Sequence, residues 1–110
     1  MTNVNATPAP ATSMNAAALT AAQHRQSACR LRTIRVTNTA AGTRYLQLHD
    51  STAVPADGAV PLVSIPLAAG AYYESDTPRD FINGLYACAS TTQATKTLSA
   101  ADFILDITFN

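Results

Sequence analysis

The stretch that decides the fold is Phe81–Phe109, FINGLYACASTTQATKTLSAADFILDITF. Its end alternates, so that one side of an extended chain carries only apolar side chains: Phe103, Leu105, Ile107 and Phe109. Asp106 and Thr108 fall on the other side, which is the period of a strand with one buried face. Leu85–Ser90 follows the turn dipeptide Asn83-Gly84 and is a second strand-like run. The stretch therefore predicts two strands of one β domain, joined by a solvated connection over residues 91–102.

Similar short runs recur from Cys29 onward, separated by turn signals such as Asp57-Gly58. Pro61 and Pro66 bracket one run and predict an edge strand, because proline cannot donate to a ladder. Leu31 breaks the alternation of its run, which indicates a bulge or a strand partly covered on its second face. Counted together, the runs predict an all-β domain of about six or seven strands, a small antiparallel β-sandwich or barrel-like domain spanning residues 29–110.

Residues 1–28 are predicted to form an extended N-terminal arm. Pro8 and Pro10 block a helix near its start, whereas the alanine-rich stretch 15–24 allows a short helix. The arm contains few large apolar side chains. Two of them are predicted to contact a neighbouring subunit: Val4 and Leu19. The alternative is a terminus without a role.

The composition limits the size of the core. Alanine provides 22 of the apolar residues, and Val, Ile, Leu and Phe together also number 22. That is one fifth of the chain, close to the level of roughly 20% below which chains tend to be disordered. The low charge argues against disorder, so we expect a modest core completed by other subunits in a homo-oligomer. A stable monomer is the alternative, because a domain of this size buries about two thirds of its unfolded surface.

The charge is zero in total but unevenly distributed. Residues 1–44 hold five arginines and no acid, while residues 45–110 carry a net charge of −5. Four of the arginines lie in strand-like runs and are the candidate interface residues: Arg30, Arg32, Arg35 and Arg44. Two interpretations stay open. Either the two parts neutralise each other inside one domain, or complementary patches on neighbouring copies align an assembly.

No set of residues predicts catalysis, a cofactor or a metal site. His49-Asp50-Ser51 has suitable residue types, but consecutive strand residues point in alternating directions and cannot readily form a relay. We expect instead an exposed histidine followed by a turn. The glycines are scattered, which argues against a phosphate-binding loop, and no Cys or His pair has the spacing of a metal site. Cys29 and Cys88 are expected to be buried thiols, with a bridge between adjacent strands left open.

Several partners are disfavoured by simple properties. The zero net charge argues against nucleic-acid binding, and no apolar run approaches the length of a transmembrane helix. The start of the chain lacks the basic and apolar regions of a signal peptide, so synthesis and folding in a cytoplasm are expected. The lack of tryptophan makes carbohydrate binding a weaker alternative.

The stretch Leu31–Phe109 resembles a group of small virion proteins of tailed bacteriophages. The resemblance rests on short motifs, namely RVTN at 35–38, RYLQLHD at 44–50, PADG at 55–58, FINGLY at 81–86 and STT at 90–92. It implies a non-enzymatic capsid decoration (cement) protein of the virion, made in the host cytoplasm. Its implied partners are further copies of itself, often as a trimer, and the major capsid protein. A tail, neck or fibre-associated phage protein is the alternative, followed by a module that binds a carbohydrate or host surface.

Overall fold

The computed structural model describes residues 23–25, 28–99 and 102–109. Within these ranges the chain forms strands and no helix, which confirms the predicted all-β class. The strands in chain order are β1 (Gln23–Arg25), β2 (Cys29–Asn38), β3 (Arg44–Asp50), β4 (Val63–Leu67), β5 (Tyr72–Ser75), β6 (Arg79–Phe81), β7 (Leu85–Ser90) and β8 (Phe103–Phe109). Seven of these begin at or after residue 29, in agreement with the predicted six or seven.

The strands form two antiparallel sheets. Sheet A has the order β1-β7-β3-β4. Sheet B is built around β2, with β8 along one side and the short strands β5 and β6, one after the other, along the opposite side. The inner faces of both sheets contribute to one hydrophobic core, so the architecture is a β-sandwich.

The alternation of β8 places its apolar side in the middle of this core. Phe103, Leu105 and Ile107 are completely buried, whereas Ile104 is 50% exposed. Across the sandwich, the buried leucines 46 and 48 of β3 belong to the same cluster. The inward and outward faces of β8 are therefore those that the sequence predicts.

Two predicted irregularities are present. The pairing of β2 with β8 shifts between Leu31 and Thr33, so the chain bulges at Arg32, and Leu31 and Ile34 are both buried. β4 lies at the edge of sheet A and contains Pro66, since an edge strand tolerates a residue without an N–H group. The strand begins only at Val63, later than the sequence pattern suggests.

The arm prediction needs a correction at residues 23–25. The sequence analysis assigned them to the arm and placed residues 23 and 24 at the end of a helix, whereas Gln23–Arg25 pair with Leu85–Ala87 of β7. Backbone pairing along a sheet edge requires no apolar pattern, so the sequence carried no signal for it. The rest of the arm, including Val4, Leu19 and most of the allowed helix, lies outside the described residues.

Candidate functional site

The outer face of sheet A is covered by loops of the chain itself. The side-chain Nε2 of Gln47 donates to the backbone oxygens of Thr92, Gln93 and Thr95, at 2.9, 3.2 and 3.1 Å. The backbone of Lys96 pairs in turn with Gly58 and Ala59. We call residues 56–59 and 91–99 the covering segments. The predicted solvated connection is confirmed for most of residues 91–99, which are exposed. Lys96 is buried, however, and the amide of Gln47 in the strand beneath binds three of the carbonyl groups.

Polar side chains are buried where the covering segments pack against sheet A. His49 is 3% and Lys96 4% exposed, so the prediction of an exposed His49 is also wrong. The Nε2 of His49 lies 3.2 Å from Oε1 of Gln47. Because the other end of that amide is already a donor, Oε1 accepts a hydrogen bond from the imidazole N–H. Burial lowers the pKa of His49, and the charge of Lys96 lowers that pKa further.

The remaining groups of this region have structural partners. The ammonium of Lys96 pairs with Asp57 at 3.2 Å. Burial raises the pKa of Cys88 to about 11, so its thiol is protonated at neutral pH. Cys29 and Cys88 are not joined by a disulfide bond and lie in different sheets. Within the described ranges, no group of three or more His, Cys, Asp or Glu side chains is arranged to hold a metal ion.

Asp50 and Ser51, the two residues after His49, form hydrogen bonds with other groups and not with each other. Asp50 accepts hydrogen bonds from the backbone N–H groups of Ile82, Asn83 and Gly84, at 3.0, 2.7 and 3.2 Å. Its carboxylate therefore fixes the turn before β7. Ser51 donates to the carbonyl of Ala53 within its own loop. The three consecutive side chains thus form no relay with one another.

The outer face of sheet B is open, and we call it the open face. β2 contributes three exposed arginines at its centre: Arg30, Arg32 and Arg35. β5 and β6 contribute Tyr72, Glu74 and Asp80 on one side, and β8 contributes Ile104, Asp106 and Thr108 on the other side. Arg44 lies at the start of β3 in sheet A. Three of the four candidate arginines therefore share one surface, and Arg44 does not belong to it.

Most of these arginines are neutralised inside the chain. Arg30 forms a two-point contact with Asp80, at 2.7 and 3.3 Å. Arg35 approaches Asp106 to 3.7 Å, and Arg44 Nε lies 2.8 Å from Asp102. These pairs follow the first interpretation of the charge asymmetry, in which the two parts of the sequence neutralise each other.

Arg32 is the exception, and the strand pairing explains why. At the bulge no residue of β8 stands opposite it. On its other side β5 ends opposite Ile34 and β6 begins opposite Leu31. Arg32 accordingly forms no ion pair with any acid in the described part of the chain. A role of Arg32 in an interface stays a prediction.

A shallow depression marks the end of the open face near Tyr72. It has a volume of about 100 Å³ and is lined by Arg35, Tyr72, Ile104 and Asp106, among others. The Tyr72 ring is 56% exposed, and its hydroxyl lies 3.1 Å from the Glu74 carboxylate, to which it donates. Apolar surface and charged groups thus alternate on this part of the face.

A larger groove opens at the side of the sandwich and has a volume of about 240 Å³. It lies between the free edge of β4 and the edge formed by β5 and β6. Its apolar lining residues are Leu31, Ile34, Leu48, Val63, Ile65 and Tyr73, and the polar ones are Ser75, Thr77 and Arg79. We call it the side groove. The sequence analysis gave no indication of it, because it depends on where two sheet edges end.

Comparison with known proteins identifies no relative: no protein-family model, curated protein or solved structure matches the chain. Within the described ranges there is also no helix of the length and apolar character that would cross a bilayer.

Proposed function

We propose that the chain is a non-enzymatic structural protein of a tailed-bacteriophage virion, a capsid decoration protein that binds the outer head lattice and stabilises it. The observation that carries the proposal is the difference between the two outer faces of the sandwich. Sheet A is covered by residues 56–59 and 91–99, whereas no described segment lies over the open face of sheet B. The proposal also draws on the resemblance of the motifs between residues 31 and 109.

The proposed contact uses the centre of the open face. The guanidinium of Arg32 forms no ion pair among the described residues, so it is available to a carboxylate of a capsid subunit. Tyr72 and Ile104, which stand opposite Thr37 at one end of the face, add exposed apolar area to it. Each contact of this kind is weak alone, but many copies on a repeating lattice gain avidity. Such a protein strengthens a shell by bridging its subunits without any reaction.

Imaging of purified particles tests the proposal. Virions from a phage with the intact gene should show regular density on the outer head surface, and virions from a deletion phage should lack that density. The deletion particles should also lose their DNA at a lower temperature. Density on the tail or neck instead would support the structural alternative, and absence of the protein from purified particles would overturn a virion role.

The exposed ring of Tyr72 favours carbohydrate binding as a second candidate. Sugars stack on aromatic faces, and their hydroxyl groups accept hydrogen bonds from guanidinium groups and donate them to carboxylates. Tyr72, Arg35 and Asp106 offer these groups around the depression. A sugar ligand should raise the melting temperature, and Tyr72→Ala should abolish that shift. If no sugar of a broad panel changes the melting temperature of the intact protein, this candidate fails.

A further inference from the structure

The side groove is an incomplete part of the sandwich. Among the described strands, β4 pairs with β3 on one side only, and β5 and β6 pair only with β2. Both sheets therefore present an edge to the groove that no described strand covers. Between these edges the buried side chains of Leu31, Ile34 and Leu48 form part of the lining. The volume of about 240 Å³ exceeds the roughly 150 Å³ of an apolar cavity that takes up benzene. The space is therefore large enough for an aliphatic side chain.

We propose that the side groove binds residues 2–6 of a second copy of this chain, added as a strand to the free edge of β4 with the Val4 side chain in the groove. An extended segment supplies main-chain hydrogen bonds to such an edge and places alternate side chains on one face. In TNVNA these are Thr2, Val4 and Ala6. The inference rests on the proposed function, since it describes how copies would join in an assembly.

The composition of the chain before β1 suits this occupant. Residues 1–22 contain no Asp, Glu, Lys or Arg, so entering an apolar groove would remove no side-chain charge from water. Residues 2–6 also contain no proline, and every residue of the segment can donate to a ladder. Pro8 and Pro10 follow directly and restrict the next residues to an extended path.

The position of β1 favours a neighbouring copy over the same chain. β1 lies at the edge of sheet A opposite β4, about 14 Å away across three strand spacings. Gln23 stands opposite Ala87 and Arg25 opposite Leu85. Leu48, which lines the groove, also stands opposite Ala87. β1 therefore joins the arm to the domain at the sheet edge that is farthest from β4 and the groove.

The arm is long enough to reach another molecule. Val4 precedes Gln23 by 19 residues, which span up to about 65 Å when extended. The longest dimension of the molecule is 42 Å. A contact between adjacent copies is thus within reach, whereas the distance does not by itself exclude the same chain.

Disulfide trapping between two variants tests the inference. Full-length Val4→Cys is mixed with full-length Ile65→Cys under mild oxidation, in solution and on particles. Val60→Cys is the matched control, because Val60 is 77% exposed and does not line the groove. Cys29 and Cys88 are buried and do not compete. Tyr73→Cys, on the opposite wall, replaces Ile65→Cys if that variant fails to fold.

A docked segment has a high effective concentration, so we expect the mixed disulfide to form at least about tenfold faster with Ile65→Cys than with Val60→Cys. Equal rates, or no mixed disulfide in solution or on particles, would overturn the inference. A double variant with both Val4→Cys and Ile65→Cys provides a further check. If the disulfide forms only within single molecules of that variant, the inference is overturned, because the groove then binds the arm of its own chain. A specific mixed disulfide in a protein absent from virions would leave the inference standing and remove the proposed function. Capsid density without the mixed disulfide would overturn the inference and leave the proposed function standing.

Discussion

Arg44 and Asp102 show how the exposure of an ion pair determines its contribution to the free energy of unfolding. Their side chains are 28% and 14% exposed and meet at 2.8 Å, whereas Arg35 and Asp106 are 58% and 36% exposed and meet at 3.7 Å. Exposed pairs contribute roughly 0–1 kcal/mol because water and salt screen them. A shorter and partly shielded pair is a stronger charge-assisted hydrogen bond.

We therefore expect Arg44→Gln to lower the free energy of unfolding by about 1 kcal/mol and Arg35→Gln by less than about 0.5 kcal/mol. Urea denaturation of both variants beside the wild type measures the difference. An equal or larger loss for Arg35→Gln would show that the open face contributes more to stability than its exposure indicates.

Asp50, at the turn before β7, makes a pH-dependent contribution to the stability of the fold. Burial acts to raise its pKa, but the hydrogen bonds from the backbone N–H groups of Asn83, Ile82 and Gly84 outweigh this effect and lower the pKa. A carboxyl group with a lowered pKa stabilises the fold fully above its unfolded pKa of about 3.9. The contribution is then lost as the pH falls through the lower, folded pKa.

Asp50→Asn should lower the free energy of unfolding by about 1 kcal/mol at pH 7. The difference from wild type should shrink between about pH 4 and pH 2, as the native carboxylate takes up a proton. Denaturation at several pH values measures it, with Asp76→Asn as a control at an exposed acid. A difference that persists unchanged at pH 2 would show that the charge of Asp50 is not its cause.

At the scale of elements, β8 is the strand on which the core depends. Leu105 is completely buried, and its neighbour Ile104 is half exposed on the open face. We expect Leu105→Ala to lower the free energy of unfolding by about 2–4 kcal/mol, through lost burial and a cavity. Ile104→Ala removes as many carbon atoms from an exposed position and should cost less than about 1 kcal/mol. Comparable losses in chemical denaturation would mean that the two faces of β8 are assigned wrongly.

The elements also show which parts of the structure the sequence could predict. β8 and the bulge at Arg32 were predictable, because alternation records which side of a strand meets the core. The covering segments were not, since residues 91–99 are held by hydrogen bonds from Gln47 to backbone carbonyls. Such bonds leave no periodic pattern. The side groove and the pairing of β1 were missed for a similar reason, because both are properties of sheet edges.

The covering segments should loosen as His49 becomes protonated. The groups that face His49 are Gln47 on its own strand and Lys96 in the covering segment. Tyr86 stands opposite His49 on β7. Cys88 and Asp57 lie close to Lys96. The pKa of His49 is lowered in the folded chain, so between that pKa and about 6.5 the unfolded chain binds the additional proton. Stability is therefore highest above about pH 6.5 and decreases as the pH falls below it.

Denaturation of wild type and His49→Gln between pH 7.5 and pH 5 tests this expectation. The wild type should lose more stability than the variant over this range. The protection of the Lys96 amide hydrogen, relative to its intrinsic exchange rate at each pH, should decrease in parallel. Identical pH profiles would show that His49 does not link protonation to the covering segments.

At the scale of the whole molecule, the net charge is zero, but the arginines of the surface differ in whether an acid of the same chain neutralises them. Arg30, Arg35 and Arg44 are paired inside the chain, and Arg32 has no ion pair in the described ranges. An attraction between Arg32 and an acid of a partner would be screened by salt, because the Debye length falls from about 10 Å at 0.1 M to about 3 Å at 1 M. The arm and the side groove would add a contact that salt does not weaken.

We therefore expect retention of the protein on phage heads to decrease as salt rises, but not to vanish. Arg32→Glu should lower retention at low salt more than it lowers the melting temperature, since the side chain contributes little to the fold. Arg32→Lys keeps the charge and should preserve most of the salt-sensitive part, while losing the two-point geometry of a guanidinium. Pelleting particles at increasing salt and measuring the bound fraction provides the comparison. Retention that stays equal from low salt to about 1 M, in wild type and Arg32→Glu alike, would contradict a role for Arg32. The cohesion would then have to come from apolar contacts, and Val4→Asp should release the protein at every salt concentration.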